Sequence, residues 1–309
     1  MTHRGLREAL CALGNGYFAT RGAACFARAN DVHYPATYLA GGYNRLTTRI
    51  DGHEVENEDL VNLPNWLPLK CRIEGGAWLA PGSAEIAKYR QTLDLREGLL
   101  TRWYVFRDGN GRRTAFRERR LVHMREPHLA AIELEVAAEN WSGTLELQSA
   151  LDGRVVNVGV PARGWHGEAY RGHILWDELF IFPLLNWQLP EITRALLMYR
   201  YRRLNEARAN ARAAGYRGAM YPWQSGSSGR EETQRLHLNP ESGRWLPDHT
   251  HLQRHINVAV ALNVWRYYQV TRDIEFLSFC GAEMILEIAR FWSTSRASTR
   301  NAGATRFSA

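Results

Sequence analysis

The pattern of apolar residues in this chain changes its period once, near residue 160. Before that point, short alternating segments such as Leu100–Arg107 and Leu129–Val136 are separated by turns that contain glycine. Alternation at a period of two indicates strands, and evenly spaced strands with turn signals between them are typical of antiparallel sandwiches. We therefore expect residues 1–160 to form an N-terminal antiparallel β-sandwich domain, in which Leu13–Gly22 is a turn into a strand and Glu56–Leu69 is a long loop.

After residue 160 the apolar residues recur at the spacing of a helix. Pro190–Ala214 begins with a proline and stops before Gly215, which are start and stop signals for a helix. Arg254–Thr271 and Ala282–Ser293 show the same period. The sequence thus predicts a helical domain over residues 161–309 and a multidomain β + α fold class.

The stretch Arg163–Pro183, at the start of the helical half, mixes two histidines, three acidic residues and two tryptophans with an apolar run. A packed strand or helix has no need of this mixture, because each buried polar group without a partner costs about 1–3 kcal/mol. Trp176 can present a flat apolar face to a pyranose, and Asp177 can accept hydrogen bonds from two neighbouring hydroxyls. Local spacing equally allows a second interpretation, a buried Trp176 beside an N-cap Asp177.

Two later segments, Gly218–Ser225 and Gly229–Gln253, are polar and aromatic at once. Binding groups concentrate on loops that a rigid scaffold holds, so these segments are candidates for a ligand site. The alternative is that they are surface loops whose aromatic side chains pack on helix ends. Their candidate ligand-binding residues are Tyr221, Trp223, Gln224, Glu232, Trp245, Asp248, His249 and His251.

The formal net charge of +7 and the pI near 9.4 raise the question of a nucleic-acid partner. The positive charge is scattered arginine with almost no lysine, and no basic run carries a nucleic-acid fold signature. We therefore expect no nucleic-acid partner. No window approaches 18 uninterrupted apolar residues, and the N-terminus lacks a signal-peptide core, so we expect no membrane partner and a cytoplasmic location.

The cysteine and histidine spacings do not form a metal motif. Cys11, Cys25, Cys71 and Cys280 show no C-x-x-C spacing, which favours free thiols in a reducing compartment. His251 and His255 are four residues apart, but the H-E-x-x-H pattern is absent, so we expect no zinc site.

Several longer segments together resemble glycoside hydrolase family 65. The similarity lies in ALGNGYFATRGA, TYLAGGYNRL and ENEDLVNLPNW in the first half, and in RGWHGEAYRGHILWDELF, AGYRGAMYPWQS and GAEMILEIARFW in the second. The family comprises inverting phosphorylases and hydrolases of α-glucosides such as maltose, trehalose, kojibiose and nigerose. The resemblance implies a β-sandwich followed by an (α/α)6 barrel, an α-glucoside disaccharide as substrate, and no cofactor other than inorganic phosphate as co-substrate. It also allows a homodimer, as in the family.

The resemblance assigns roles to six residues. Trp176 and Asp177 would bind the glucose that is transferred, Trp223 and Gln224 would lie in the same pocket, and Glu232 and His255 would lie nearer its rim. The chain departs from the family at Glu178-Leu179, where Thr-Glu is usual, and at Gln224, where Glu is commoner.

The resemblance also indicates missing segments. The family's general acid is a Glu in a G-P-D-E-Y-H type motif after the helix that ends in R-F-W, whereas residues 293–309 here contain no carboxylate. Val160 passes almost directly into Pro161, where the family has a linker and the first barrel helices. We therefore expect an internally deleted, C-terminally truncated member with an incomplete barrel, whose general acid would lie downstream of Ala309 and which is inactive alone. A non-catalytic sugar-binding remnant and an unstable fragment are the alternatives, and both the linkage and the choice of phosphate or water stay open.

Overall fold

The computed structural model describes residues 3–30, 32–157, 172–239 and 241–301, which cluster into two compact units. Unit 1 consists of Met1–Gly42 and Leu60–Arg171, and unit 2 of Tyr43–Asp59 and Gly172–Ala309. The predicted boundary between residues 160 and 161 falls outside the described residues and stays a prediction. The sequence did not predict that a segment from the N-terminal half would join the helical unit.

Unit 1 is built from antiparallel sheets that fit a β-sandwich. It begins with helix α1 (His3–Leu10), followed by a three-stranded sheet of β1 (Leu13–Gly14), β2 (Phe18–Thr20) and β3 (Thr37–Leu39). The chain then crosses to unit 2 for β4 (Tyr43–Ile50) and most of β5 (His53–Leu60). On return, β6 (Leu69–Ile73) pairs with β11 (Leu145–Ser149), and a four-stranded sheet contains β7 (Glu85–Asp94), β8 (Leu99–Arg107), β9 (Arg113–Val122) and β10 (Ala130–Ala138). Strands β8 and β10 confirm the two segments predicted from alternation.

The core of unit 1 lies on one face of β8 and β9, where alternate side chains are buried. Tyr104, Phe106 and Phe116 pack there with side chains from β6. The same face buries a charged group, because Arg102 lies directly opposite Glu118 in the register of the two strands. The four cysteines of the chain are unpaired.

The prediction of a loop over Glu56–Leu69 is wrong in its first part, because β4 and β5 form a hairpin. Asp51 and Gly52 connect the strands and both have positive φ, as a two-residue hairpin turn requires. Acidic residues are poor strand formers, but here they form ion pairs with arginines of the paired strand, as Glu56 does with Arg45 and Glu54 with Arg49. These opposite-charge pairs offset the low strand propensity that favoured a loop.

Unit 2 contains, besides this hairpin, the helices of the second half. The remaining elements are β12 (Ile174–Leu175), α2 (Glu178–Gln188), α3 (Pro190–Arg202), α4 (Leu204–Ala213), β13 (Gln224–Ser225), β14 (Leu236–Leu238), β15 (Trp245–Pro247), α5 (Ile256–Thr271), α6 (Ile274–Phe276), a π-helical turn (Leu277–Gly281) and α7 (Ala282–Asn301). Their shared core includes Phe182, Leu197, Val264, Phe276 and Met284. Within the described ranges, no helix is long and apolar enough to span a membrane.

The predicted helices over Arg254–Thr271 and Ala282–Ser293 correspond to α5 and α7. The single helix predicted over Pro190–Ala214 is instead two helices, α3 and α4, because the chain leaves helical geometry at Arg203 (φ −111°, ψ 16°). The Arg203 guanidinium lies 3.9 Å from the ring centroid of Tyr199 and donates hydrogen bonds to the carbonyl of Ser227. These contacts fix the bend, and no periodic pattern in the sequence signals them.

Candidate functional site

The short sheet of β12 and β13 places two of the predicted sugar-binding residues opposite each other. The strands are antiparallel, with Leu175 paired to Gln224. Trp176 follows β12 and Trp223 precedes β13, so the next pair in this register is the two indoles. Their ring centroids lie 5.8 Å apart.

His255, at the first turn of α5, completes an aromatic cluster with these two tryptophans. Its ring meets Trp176 edge-on at 4.9 Å and Trp223 edge-on at 5.3 Å. Both indoles pack partly against the core of unit 2, while His255 is exposed. The cluster, defined as Trp176, Trp223 and His255, is therefore an aromatic surface whose two indoles pack against the core.

Asp177 lies beside this cluster, at the N-cap position of α2. Its side chain makes no hydrogen bond to the helix end, and the residue is exposed. The N-cap interpretation is thus correct for the position but not for the carboxylate, which stays accessible next to Trp176. By contrast, Glu178 forms an ion pair with the buried Arg200 at 3.1 Å, so its departure from the family pattern serves a structural contact.

The segment 221–233, which we term the site loop, is held by a carboxylate of its own. Glu231 accepts hydrogen bonds from the backbone N–H groups of Trp223 (2.9 Å), Gln224 (3.3 Å) and Thr233 (3.2 Å). The N–H of Glu232 in turn donates to the carbonyl of Gln224 at 2.9 Å. These bonds fix the backbone that carries Trp223.

Gln224 and Glu232 are both buried, and their side chains contact other groups than the aromatic cluster. The Gln224 amide lies 2.9 Å from Nδ1 of His173. Glu232 forms an ion pair with Arg45 of the hairpin at 2.5 Å. The hydrogen bond to Glu232 raises the pKa of Arg45.

The other candidate histidines do not gather into a metal centre among the residues that the structure describes. His249 and His251 have ring centroids 6.3 Å apart, and the backbone carbonyl of Asp248 lies 3.1 Å from Nδ1 of His251. Burial is the main cause of a lowered pKa at His251.

Comparison with known families identifies the family of the chain. The chain matches the family model "Glycosyl hydrolase family 65, N-terminal domain" over residues 1–179 and the model "Glycosyl hydrolase family 65 central catalytic domain" over residues 144–307. The chain belongs to glycosyl hydrolase family 65. The two matched ranges overlap, so they do not define a domain boundary for this family member.

Among relatives in family 65, an uncharacterized glycosyl hydrolase of Mycobacterium tuberculosis is 35% identical, over 93% of this chain and 34% of its own length. The trehalose 6-phosphate phosphorylase of Lactococcus lactis is 27% identical, over 93% of this chain and 57% of its own. A solved structure named "Putative kojibiose phosphorylase from human microbiome" shares the fold, with a TM-score of 0.72 and 16% identity, over 94% of this chain and 57% of that one. The chain thus spans less than two thirds of the length of each of these relatives.

The length of these alignments carries further information. The alignment to the mycobacterial relative runs over 452 positions, which exceeds the 309 residues of this chain. The relative therefore has residues inside the aligned range that this family 65 member lacks.

The sequence did not indicate four residues whose side chains form hydrogen bonds to the site loop or within it, namely Arg45, Glu58, His173 and Glu231. His173 lies inside the polar stretch Arg163–Pro183, and Glu231 is adjacent to Glu232, a predicted site residue. Arg45 and Glu58 carry no local signal, because each meets a partner more than 160 residues away in the chain, Glu232 and Ser227 respectively.

Proposed function

We propose that this chain binds the glucose unit of an α-linked disaccharide for glycosyl transfer to phosphate or water. The observation that carries the proposal is the aromatic cluster with the exposed Asp177 carboxylate next to Trp176. An indole face stacks on the C–H side of a pyranose, and an accessible carboxylate accepts hydrogen bonds from adjacent hydroxyls. The phosphorylase names among the relatives support this substrate class.

Trp176, Asp177, Trp223 and His255 are the proposed direct sugar contacts. Gln224 and Glu232 remain in the proposal as residues of the same subsite, although their side chains contact His173 and Arg45. The proposed division into a sandwich over residues 1–160 and a partial (α/α)6 barrel over 161–309 is supported by the helical content of unit 2 and by the alignment that is longer than the chain. Inorganic phosphate as co-substrate and a homodimer belong to the same proposal.

Turnover needs a further group. In an inverting mechanism one carboxylic acid protonates the leaving oxygen while phosphate, or a water activated by a second carboxylate, attacks from the opposite face. The resemblance places the acid in a motif that follows the segment Arg290-Phe291-Trp292 of α7. We propose that the chain by itself binds sugar without turnover, and that adding a segment with this motif yields release of glucose or glucose 1-phosphate.

Calorimetry with kojibiose, trehalose and maltose tests the binding step. We expect Asp177→Asn to weaken binding by about tenfold or more, because a hydrogen bond to a charged group contributes about 1.5–3 kcal/mol. Glu275→Gln, which alters an exposed acid on α6, is the matched control. Trp176→Ala should abolish binding, whereas Trp187→Ala, at the exposed other end of α2, should not. No binding of any of the three sugars by the unaltered chain would refute the proposal.

A further inference from the structure

Among the residues that the structure describes, polar contacts join the hairpin β4–β5 to the rest of unit 2, and the main hydrophobic core of that unit includes no hairpin residue. The core of unit 2 is formed by residues of the second half of the chain, from Trp176 to Trp292. We propose that the hairpin is a positioning element for the proposed sugar site, in which Arg45 and Glu58 hold the site loop in its binding shape. This inference rests on the proposed function, because that function supplies the sugar that the loop would bind.

Arg45 binds one end of the site loop through an ion pair with Glu232. Its Nη2 lies 2.5 Å from Oε1 and its Nη1 lies 3.2 Å from Oε2, so the guanidinium and the carboxylate form a two-point fork. Glu232 is almost fully buried, with 3% of its side chain exposed. A buried carboxylate without its partner is costly, so the position of Arg45 determines where Glu232 can lie.

Glu58 holds the middle of the same loop. Its Oε2 accepts from the N–H of Ser227 at 3.1 Å, and its Oε1 accepts from the Ser227 hydroxyl. A Cβ on Gly226 would overlap the carboxylate of Glu58. A side chain at 226 would therefore displace this carboxylate from Ser227.

His173 is the third link, and it joins the hairpin to both short strands. Its Nε2 donates to the backbone carbonyl of Glu58. Its Nδ1 lies 2.9 Å from Oε1 of the Gln224 side chain, so the ring contacts both the hairpin and β13. In addition, Tyr43 donates from its hydroxyl to the carbonyl of Gly172 at 2.7 Å.

These contacts hold the backbone next to the two indoles of the aromatic cluster. His173 immediately precedes β12, which ends beside Trp176, and Gln224 begins β13 directly after Trp223. A shift of the hairpin would therefore change the distance between the two indoles. Because the core residues are not involved, removing the links should loosen the loop without unfolding the unit.

Hydrogen exchange and calorimetry on the full chain test this inference. For Arg45→Ala we expect amide protection in the site loop to fall by about tenfold or more, and kojibiose affinity to weaken by about tenfold, with a lowered Tm because the buried Glu232 carboxylate loses its partner. Arg45→Lys should restore part of both, because it keeps the charge but not the fork. Arg49→Ala is the matched control, since Arg49 lies on the same strand, is largely exposed and pairs with Glu54.

Glu58→Gln gives a second, milder variant if Arg45→Ala fails to fold. Unchanged loop protection in both variants would overturn the inference, as would lost protection with unchanged kojibiose affinity. Should the unaltered chain bind no sugar, the proposed function fails, while the exchange data still decide whether the hairpin holds the loop.

Discussion

Glu118 is a buried carboxylate placed between two buried guanidinium groups in unit 1. Its Oε1 lies 2.6 Å from Nη1 of Arg102 and 2.5 Å from Nη2 of Arg120, and at most 1% of each side chain is exposed. Removing one partner of such a group leaves an uncompensated buried charge, which is more costly than any surface pair.

We expect Glu118→Gln to lower the free energy of unfolding by about 3–5 kcal/mol, because two arginines lose their shared counter-charge. Urea unfolding followed by circular dichroism measures this change. Glu133→Gln, which alters an exposed glutamate of β10 paired with Arg119, is the control and should cost less than about 1 kcal/mol. Equal effects of the two substitutions would contradict the prediction.

The same residue predicts a pH dependence. Burial acts to raise the pKa of Glu118, but Arg120 and Arg102 lower it more, so its net pKa lies below the ordinary value of 4.5. A lowered pKa in the folded state means that the contribution to stability is complete above 4.5 and is lost as the pH falls through the folded-state pKa. The stability difference between the unaltered chain and Glu118→Gln should therefore be constant near neutral pH and shrink in acid. A difference that does not change with pH would argue against the ion pairs.

At the scale of elements, the turn after α4 is fixed by its approach to α7. Gly218 has φ +76°, and a Cβ there would overlap the carbonyl of Glu287 and the N–H of Phe291. Gly215, in the same turn, has φ +81° with open space around it. A side chain at either glycine would be strained by the positive φ, but only Gly218 lies against α7.

We expect Gly215→Ala to cost about 1–2 kcal/mol from backbone strain alone. Gly218→Ala should cost about 1–3 kcal/mol more, because α7 must move to admit the methyl group. Thermal unfolding of the two variants side by side measures the difference. A smaller loss for Gly218→Ala than for Gly215→Ala would show that α7 does not pack as described.

At the scale of the whole molecule, unit 2 exposes large apolar side chains at helical spacing. On α2 these are Phe180, Leu184 and Trp187, and on α5 they are Val258, Leu262 and Trp265. Exposed apolar patches of this kind promote association. They are also what the proposed incomplete barrel predicts, because the helices of a complete (α/α)6 barrel would cover such faces.

We therefore expect concentration-dependent self-association of the chain, measured by size-exclusion chromatography with light scattering. Replacing Leu184 and Trp187 together by glutamate should shift the chain toward the monomer without lowering Tm. Leu95→Glu is the control, because Leu95 is exposed singly at a turn of unit 1 and should not affect association. A monomer at all concentrations would contradict the expectation.

The sequence by itself determined the family and the types of most elements, with strand β5 as an exception. The change from a period of two to a helical period predicted strands such as β8 and helices such as α5, because burial of one face imposes that period locally. The sequence also predicted Trp176 and Trp223 as sugar contacts, and that role stays a prediction. The family models confirm the resemblance on which the site assignment rests.

Only the tertiary structure decided which distant residues meet. Arg45 pairs with Glu232 across 187 positions, Glu118 is buried between two arginines, and the helix predicted over Pro190–Ala214 bends at Arg203 toward Ser227. Local periodicity records which face of an element is apolar, but not which charged group will come to lie on it. Partner choice for buried charges depends on the packing of whole elements, and that information is distributed over the entire chain.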